Sequence, residues 1–189
     1  MSLHRFSFAT LPVSRWRNGG GETREIVSQP AGADFNWRAS IATIAQSGPF
    51  SLFPGIDRSI TLLAGDGVRL FSEGLIDHPL AHVGEPFAFP GDVALHATLL
   101  GGASQDFNIM VRRGRWAANV QRLAGPIQLP AGHDGVLYVL CGRWQWVQQQ
   151  TAVLAAGEGG WWRQAAAPAR FVPQGSEPAL ALWADIHPC

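Results

Sequence analysis

The chain has 189 residues, 47% of them hydrophobic and only 15% charged, and its 14 acidic and 14 basic residues balance to a net charge of zero. That length accommodates one or two domains with a sizeable core, and so little charge argues against disorder. Every basic residue is arginine; this excludes a Walker phosphate loop, a Schiff-base lysine and a kinase-type lysine, each of which needs an ammonium group at one fixed place.

In chain order, the opening Met1-Ser2-Leu3-His4-Arg5-Phe6-Ser7-Phe8 lacks the apolar core of a secretion signal, and no apolar run reaches bilayer length. With two cysteines, Cys141 inside an apolar run and Cys189 at the end, the chain suits a reducing cytoplasm, and Cys141 reads as a small buried hydrophobe. Asn18-Gly19-Gly20-Gly21 marks a turn or mobile loop. Short runs rich in Val, Ile, Phe and Trp predict strands at 24–29, 37–45, 59–63, 68–72, 87–89, 94–100, 107–112 and 115–122. Further runs at 136–141, 144–147, 151–155, 169–172 and 179–184 continue the pattern, and the fold class is all-β. Gly65-Asp66-Gly67 reads as a hairpin turn.

An internal echo runs through these segments. Ser59–Gly65 resembles Val136–Gly142, Phe87–Asp92 resembles Val153–Glu158, and Phe107–Val111 resembles Ala179–Trp183. Two similar β units follow, residues 1–122 and a shorter 123–189, sharing one core.

Chemistry is sparse. His78 and His82 are four residues apart, but Pro79 and the flanking residues point to a solvated loop. His4, His133 and His187 show no partner by spacing. His96, within Ala94-Leu95-His96-Ala97-Thr98, is a wall histidine or, if it points inward, a ligand donor. No nucleophile motif is present. What remains are arginines and asparagines among aromatics: Trp16-Arg17-Asn18, Phe35-Asn36-Trp37-Arg38, Phe53 with Asp57-Arg58, and Asp106-Phe107-Asn108. A β-barrel mouth lined this way suits a small, planar, acidic molecule, because guanidinium groups clamp carboxylates and stack on rings. A neutral chain lacks the electrostatic groove that single-stranded nucleic acid needs, and neither nucleic acid nor a membrane is an expected partner.

Trp16-Arg17-Asn18-Gly19-Gly20-Gly21-Glu22-Thr23-Arg24-Glu25-Ile26 resembles the signature of the HutD/Ves family. So do Trp37–Ala42, Gly48–Arg58, Pro86–Asp92 and Asp106–Arg113. The resemblance implies a cytoplasmic bacterial protein of cupin-like (RmlC-like jelly-roll) fold, with two β-barrel units in one chain, associated with histidine utilisation. Metal-holding cupins carry an H-x-H…E pattern; the analogy puts Leu52, Pro54 and Arg58 at those positions and Gly135 at the acid position of the second half. No metal and no cofactor are therefore expected, and Arg58 suggests an anionic ligand where a cation would have been bound.

The leading expectation is a metal-independent protein that binds a small acidic metabolite of histidine utilisation, urocanate or a formylglutamate-like compound, in a regulatory or sensing role. Arg58 is the expected carboxylate clamp, with Asn18 and Thr23 from the glycine loop, Arg24 or Arg38 assisting, and His96, Asp106 and Asn108 lining the barrel. The alternative is a metal-independent lyase, isomerase or hydrolase using Glu25, Asp106 or His96 for proton transfer. A structural or interaction protein is the third reading, and a homodimer is the assembly left open.

Overall fold

The computed structural model describes residues 2–148, 151–166 and 168–189. Its strands are β1 (His4–Ser7), β2 (Val13–Arg15), β3 (Gly21–Gln29), β4 (Trp37–Ile44), β5 (Gly48–Pro49), β6 (Ile56–Gly65), β7 (Val68–Ser72), β8 (Ile76–Leu80), β9 (Pro86–Pro90), β10 (His96–Leu99) and β11 (Ser104–Arg112). They continue as β12 (Trp116–Leu123), β13 (Ile127–Gln128), β14 (Asp134–Cys141), β15 (Arg143–Val147), β16 (Thr151–Ala155), β17 (Glu158–Trp162), β18 (Arg170–Gln174) and β19 (Leu180–Pro188). Among the described residues there is no α-helix, and no helix is long and apolar enough to cross a membrane.

The chain forms two compact units, one of Pro12–Ala117 and one that joins residues 2–11 to residues 118–189. The first holds two sheets, ordered β2-β3-β4-β11-β6-β9 and β5-β10-β7-β8. The second holds β1-β17-β14-β19-β12 and β13-β18-β15-β16. Strand for strand, β4-β11-β6-β9 recurs as β12-β19-β14-β17, and β5-β10-β7-β8 recurs as β13-β18-β15-β16. The internal echo is therefore a repeat of eight strands in one order. Two of the three sequence correspondences fall on equivalent strands; the third does not, because the counterpart of β9 is β17 and not β16. The leading strand, expected in the first unit, pairs with β17 in the second, from His4 opposite Trp161 to Ser7 opposite Glu158.

Local chemistry explains two further departures. Gly65-Asp66-Gly67 makes no hairpin, because β6 and β7 lie in different sheets. It is a corner at which both glycines take positive φ, +90° and +82°, and a Cβ would overlap the carbonyl oxygen of Ala103 at one and of Leu80 at the other. His78 sits in a strand and not in a loop; Pro79 is compatible with β8 because β8 is the edge of its sheet. Cys141, expected to be buried, is half-buried.

In the first unit, Ile44, Ile60 and Leu62 pack against Val68, Leu70, Leu80 and Ala97 of the facing sheet. Each such leucine or isoleucine contributes roughly 1.5–3 kcal/mol by leaving water. In the second unit, tryptophans fill the equivalent space: Trp146 and Trp162 lie 5.7 Å apart and Trp146 meets the Phe171 ring at 4.9 Å. Gly135 stands where β6 carries Arg58, and a Cβ there would overlap the Trp162 indole. The two barrels share a topology, and the second is closed by aromatic side chains at the point where the first carries a cation.

Candidate ligand-binding site

Antiparallel register sorts the inward side chains of the first unit's larger sheet into rows. Arg38 on β4, Met110 on β11, Arg58 on β6 and Phe89 on β9 stand side by side. One step along come Glu25 on β3, Ser40, Asn108, Ile60 and Phe87, and one step further Thr23, Ala42, Asp106 and Leu62. Strand alternation thus brings polar groups distant in sequence onto one wall. They border a cavity of about 540 Å³, whose lining takes Thr23, Arg38, Ser40, Arg58 and Asn108 from the sheet, Arg17 and Asn18 from the N-terminal turn, and Phe50 and Phe53 from the segment before β6. Among the described residues the lining contains no aspartate or glutamate.

Arg58 is 9% exposed. Its guanidinium lies over three rings, 5.4 Å from the centroid of Phe50, 5.2 Å from Phe53 and 5.0 Å from Phe89, an arrangement that attracts a cation and fixes its orientation. One nitrogen donates to the Ser51 carbonyl at 3.3 Å, and Nε is buried with no hydrogen-bond partner. Burial, and then the neighbouring Arg38 charge, lower its pKa to about 10, so it remains a cation at neutral pH. Three acids of the same sheet have other partners. Glu25 accepts from Arg38 Nε at 2.6 Å, Asp57 accepts from Arg113 at 2.7 Å, and the buried Asp106 accepts from Ser104 Oγ at 2.9 Å.

The other polar groups are held by local bonds. Thr23 Oγ1 accepts from the Trp16 indole at 2.8 Å. Asn18 Oδ1 accepts from the Gly20 amide at 3.0 Å, which closes the glycine run into a turn. Asn108 Nδ2 donates to the Asp106 carbonyl at 3.1 Å, leaving its side-chain oxygen for other use. One same-face step along β11 the Asp106 carboxyl group is fully buried, Oδ2 has no hydrogen-bond partner, and burial pushes its pKa up to about 7.

Of the residues expected in the site, Arg58, Asn18, Thr23, Arg38 and Asn108 line one cavity. Three do not. Arg24 faces away because alternation along β3 turns Thr23 inward, and it bonds Glu22 at 3.1 Å. His96 is exposed, Ala97 taking the inward position on β10. Asp106 lies on the correct wall, in the row of Thr23 and Ala42, but is buried in it and stays outside the lining. Ser40, Phe50 and Phe89 were missed; Ser40 was legible as the i+2 neighbour of Arg38, whereas the two phenylalanines come from other elements and gave no local signal. Leu52 and Pro54 precede β6 in a loop and line a neighbouring depression. With Arg58 they make no metal-ligand set, and among the described residues no group of three or more His, Cys, Asp or Glu could hold a metal ion.

The HutD family model matches residues 8–180. The chain belongs to the HutD family. It is 41% identical to protein Ves of Cronobacter sakazakii over 160 residues, 84% of this chain and 86% of that protein. The structure of HutD from Pseudomonas fluorescens SBW25, in a formate condition, superposes with a TM-score of 0.85 at 26% identity, covering all of both chains. A Lactobacillus farciminis oxalate decarboxylase, in a formate complex, superposes with a TM-score of 0.71 at 12% identity over 100% of this chain and 87% of that one, which shows that the fold is shared. The architecture of this HutD-family chain is cupin-like, with two β-barrel units in one chain.

Proposed function

We propose that this HutD-family chain is a regulatory or sensing factor of histidine utilisation whose first barrel binds a small carboxylate of that pathway, urocanate or a formylglutamate-like compound. The observation that carries the reading is Arg58: a buried guanidinium, caged by three aromatic rings, with no carboxylate partner among the described residues, at the wall of a cavity without acids. A buried cation without a counter-charge is costly, and a ligand carboxylate supplies the missing charge. Ser40, Thr23 and Asn108 offer hydroxyl and amide groups for the remaining polar atoms of such a molecule. The family's association with histidine utilisation supports the choice of pathway.

Calorimetric titration of the full chain with urocanate and with N-formylglutamate tests the reading. A charge-assisted hydrogen bond contributes roughly 1.5–3 kcal/mol, so Arg58→Ala weakens binding by about tenfold to more than a hundredfold. Arg58→Lys also binds poorly, since an ammonium group lacks the planar fork. Unchanged affinity in a well-folded Arg58→Ala protein removes Arg58 as the clamp.

Asp106 favours a second reading, a metal-independent lyase, isomerase or hydrolase, because a buried acid poised near neutrality suits proton transfer. Of the three groups considered for that role, Glu25 is paired with Arg38 and His96 is outside, so the enzyme reading rests on Asp106 alone. Progress curves with the same two compounds decide it: turnover abolished by Asp106→Asn supports an enzyme, and none in the wild type leaves binding.

A further inference from the structure

We propose that the first barrel takes up its anion together with a proton, which is held on the Asp106 carboxyl group buried in the cavity wall. The inference rests on the anion-binding reading of that cavity and adds to it a second, chemically distinct occupant.

Three observations point the same way. First, Asp106 shares an inner wall with the cavity residues: it is two residues from Asn108 on β11, and Asn108 Nδ2 bonds the Asp106 carbonyl. Second, its surroundings give an aspartate anion almost nothing. Its neighbours in register are Ala42 and Leu62, its single side-chain bond comes from Ser104, and Oδ2 has no hydrogen-bond partner. A fully buried carboxylate so placed is strongly disfavoured, whereas the neutral acid needs less. Third, among the described residues no other titratable group stands in its row of paired strands. The inward residues of the facing strands are Val68, Leu70, Leu80 and Ala97. On β8 the half-buried His78 stacks on Phe87 at the edge. From β3 the row holds Thr23, with Glu25 one row above and paired to Arg38. Arg58 stands two rows above Asp106, beside Met110.

An anion held by Arg58 and Asn108 therefore sits one to two rows along the same wall from an acid whose burial already places its pKa at about 7. Same-face residues on a strand are separated by roughly 7 Å per step. Two like charges about 10 Å apart at an effective dielectric constant of about 20 repel by an amount equal to roughly a tenfold change in affinity. The bound anion raises the Asp106 pKa further, so binding near neutrality draws a proton from solvent. Affinity is then highest below the pKa of the free protein and falls, by roughly tenfold in all, as pH rises through neutrality.

Formate is the probe, since it stays ionised over the whole range. Its dissociation constant for the full chain is measured by NMR titration at about pH 6 and about pH 8.5, well to either side of the Asp106 transition. The wild type is expected to bind about tenfold more weakly at the higher pH, while Asp106→Asn, neutral throughout, gives one constant at both. Aspartate-labelled wild type, followed by carboxyl carbon shifts, gives a reading that does not depend on the variant folding: formate moves one near-neutral transition upward. Equal affinity of the wild type at both pH values, a pH dependence kept in folded Asp106→Asn, or a transition that formate does not move overturns the proposal. Absence of any formate binding at either pH overturns the anion-site reading itself, and this proposal with it.

Discussion

Two arginines flank Met110, and their fates differ. Arg38 is half-buried and joined to Glu25, whereas Arg58 is buried and faces rings. The same contrast governs Asp106, which has consequences for stability as well as binding. Its pKa is about 7 in the folded chain and near 3.9 when unfolded. Between those values the folded state holds a proton that the unfolded state releases, so the contribution is most favourable below pH 4, declines through the acid range and levels off above 7. Asp106→Asn is accordingly expected to be more stable than the wild type above neutrality by a few kcal/mol, with the advantage vanishing near pH 4. Denaturant midpoints at several pH values check this, and a constant difference across the range contradicts it. The sequence supported Arg58, Asn108, Thr23, Asn18 and Arg38 because arginine and asparagine beside aromatic residues are unusual company. It could not supply the phase of each strand. Arg24 against Thr23 and His96 against Ala97 differ by one position in a period of two, and burial from both sheets decides which points inward.

At the scale of elements, most strands were legible because their apolar runs are short and punctuated, but sheet membership was not. A Gly-Asp-Gly triplet shows that the chain turns, and the partners of the flanking strands decide whether the turn closes a hairpin or passes to another sheet. Here both glycines abut carbonyl oxygens at the corner. Gly67→Ala places a Cβ against Leu80 at φ +82° and is expected to cost about 1–3 kcal/mol. Gly74→Ala, at φ +71° in open space, bears only the conformational cost of roughly 1 kcal/mol. Thermal unfolding of the two variants separates these effects; equal losses would remove the steric account of the corner. Short strands such as β2, β5 and β13 carry two or three residues each, too few for a periodic signal, and they exist because a neighbouring strand offers them an edge.

At the scale of the whole chain, the eight-strand repeat was visible through its glycine-terminated strands, whereas the crossing of the N-terminal segment was not, since nothing in His4–Ser7 names its partner. That segment covers β17, whose residues Gly159 and Gly160 have no side chains of their own. The Phe6 ring lies over Gly159, Leu3 over Gly160, and the His4 ring stacks on Trp161 at 4.1 Å. Arg5 adds an ion pair with Glu158 at 3.6 Å, half exposed and of small worth. Removing residues 1–7 therefore strips the apolar cover and the hydrogen-bonded edge from β17 together. The loss of two packed side chains is expected to cost roughly 3 kcal/mol. Hydrogen exchange gives the location as well as the size of the effect. Amides of β17 and of its other neighbour β14 should lose protection, while those of β4, β11 and β6, which hold the cavity wall, should keep theirs. Because Arg58 and Asn108 lie on that wall, carboxylate affinity should be retained in the shortened chain. Loss of protection centred on β4, β11 and β6, or none anywhere, would mean that the first strand does not serve as the edge of the second barrel.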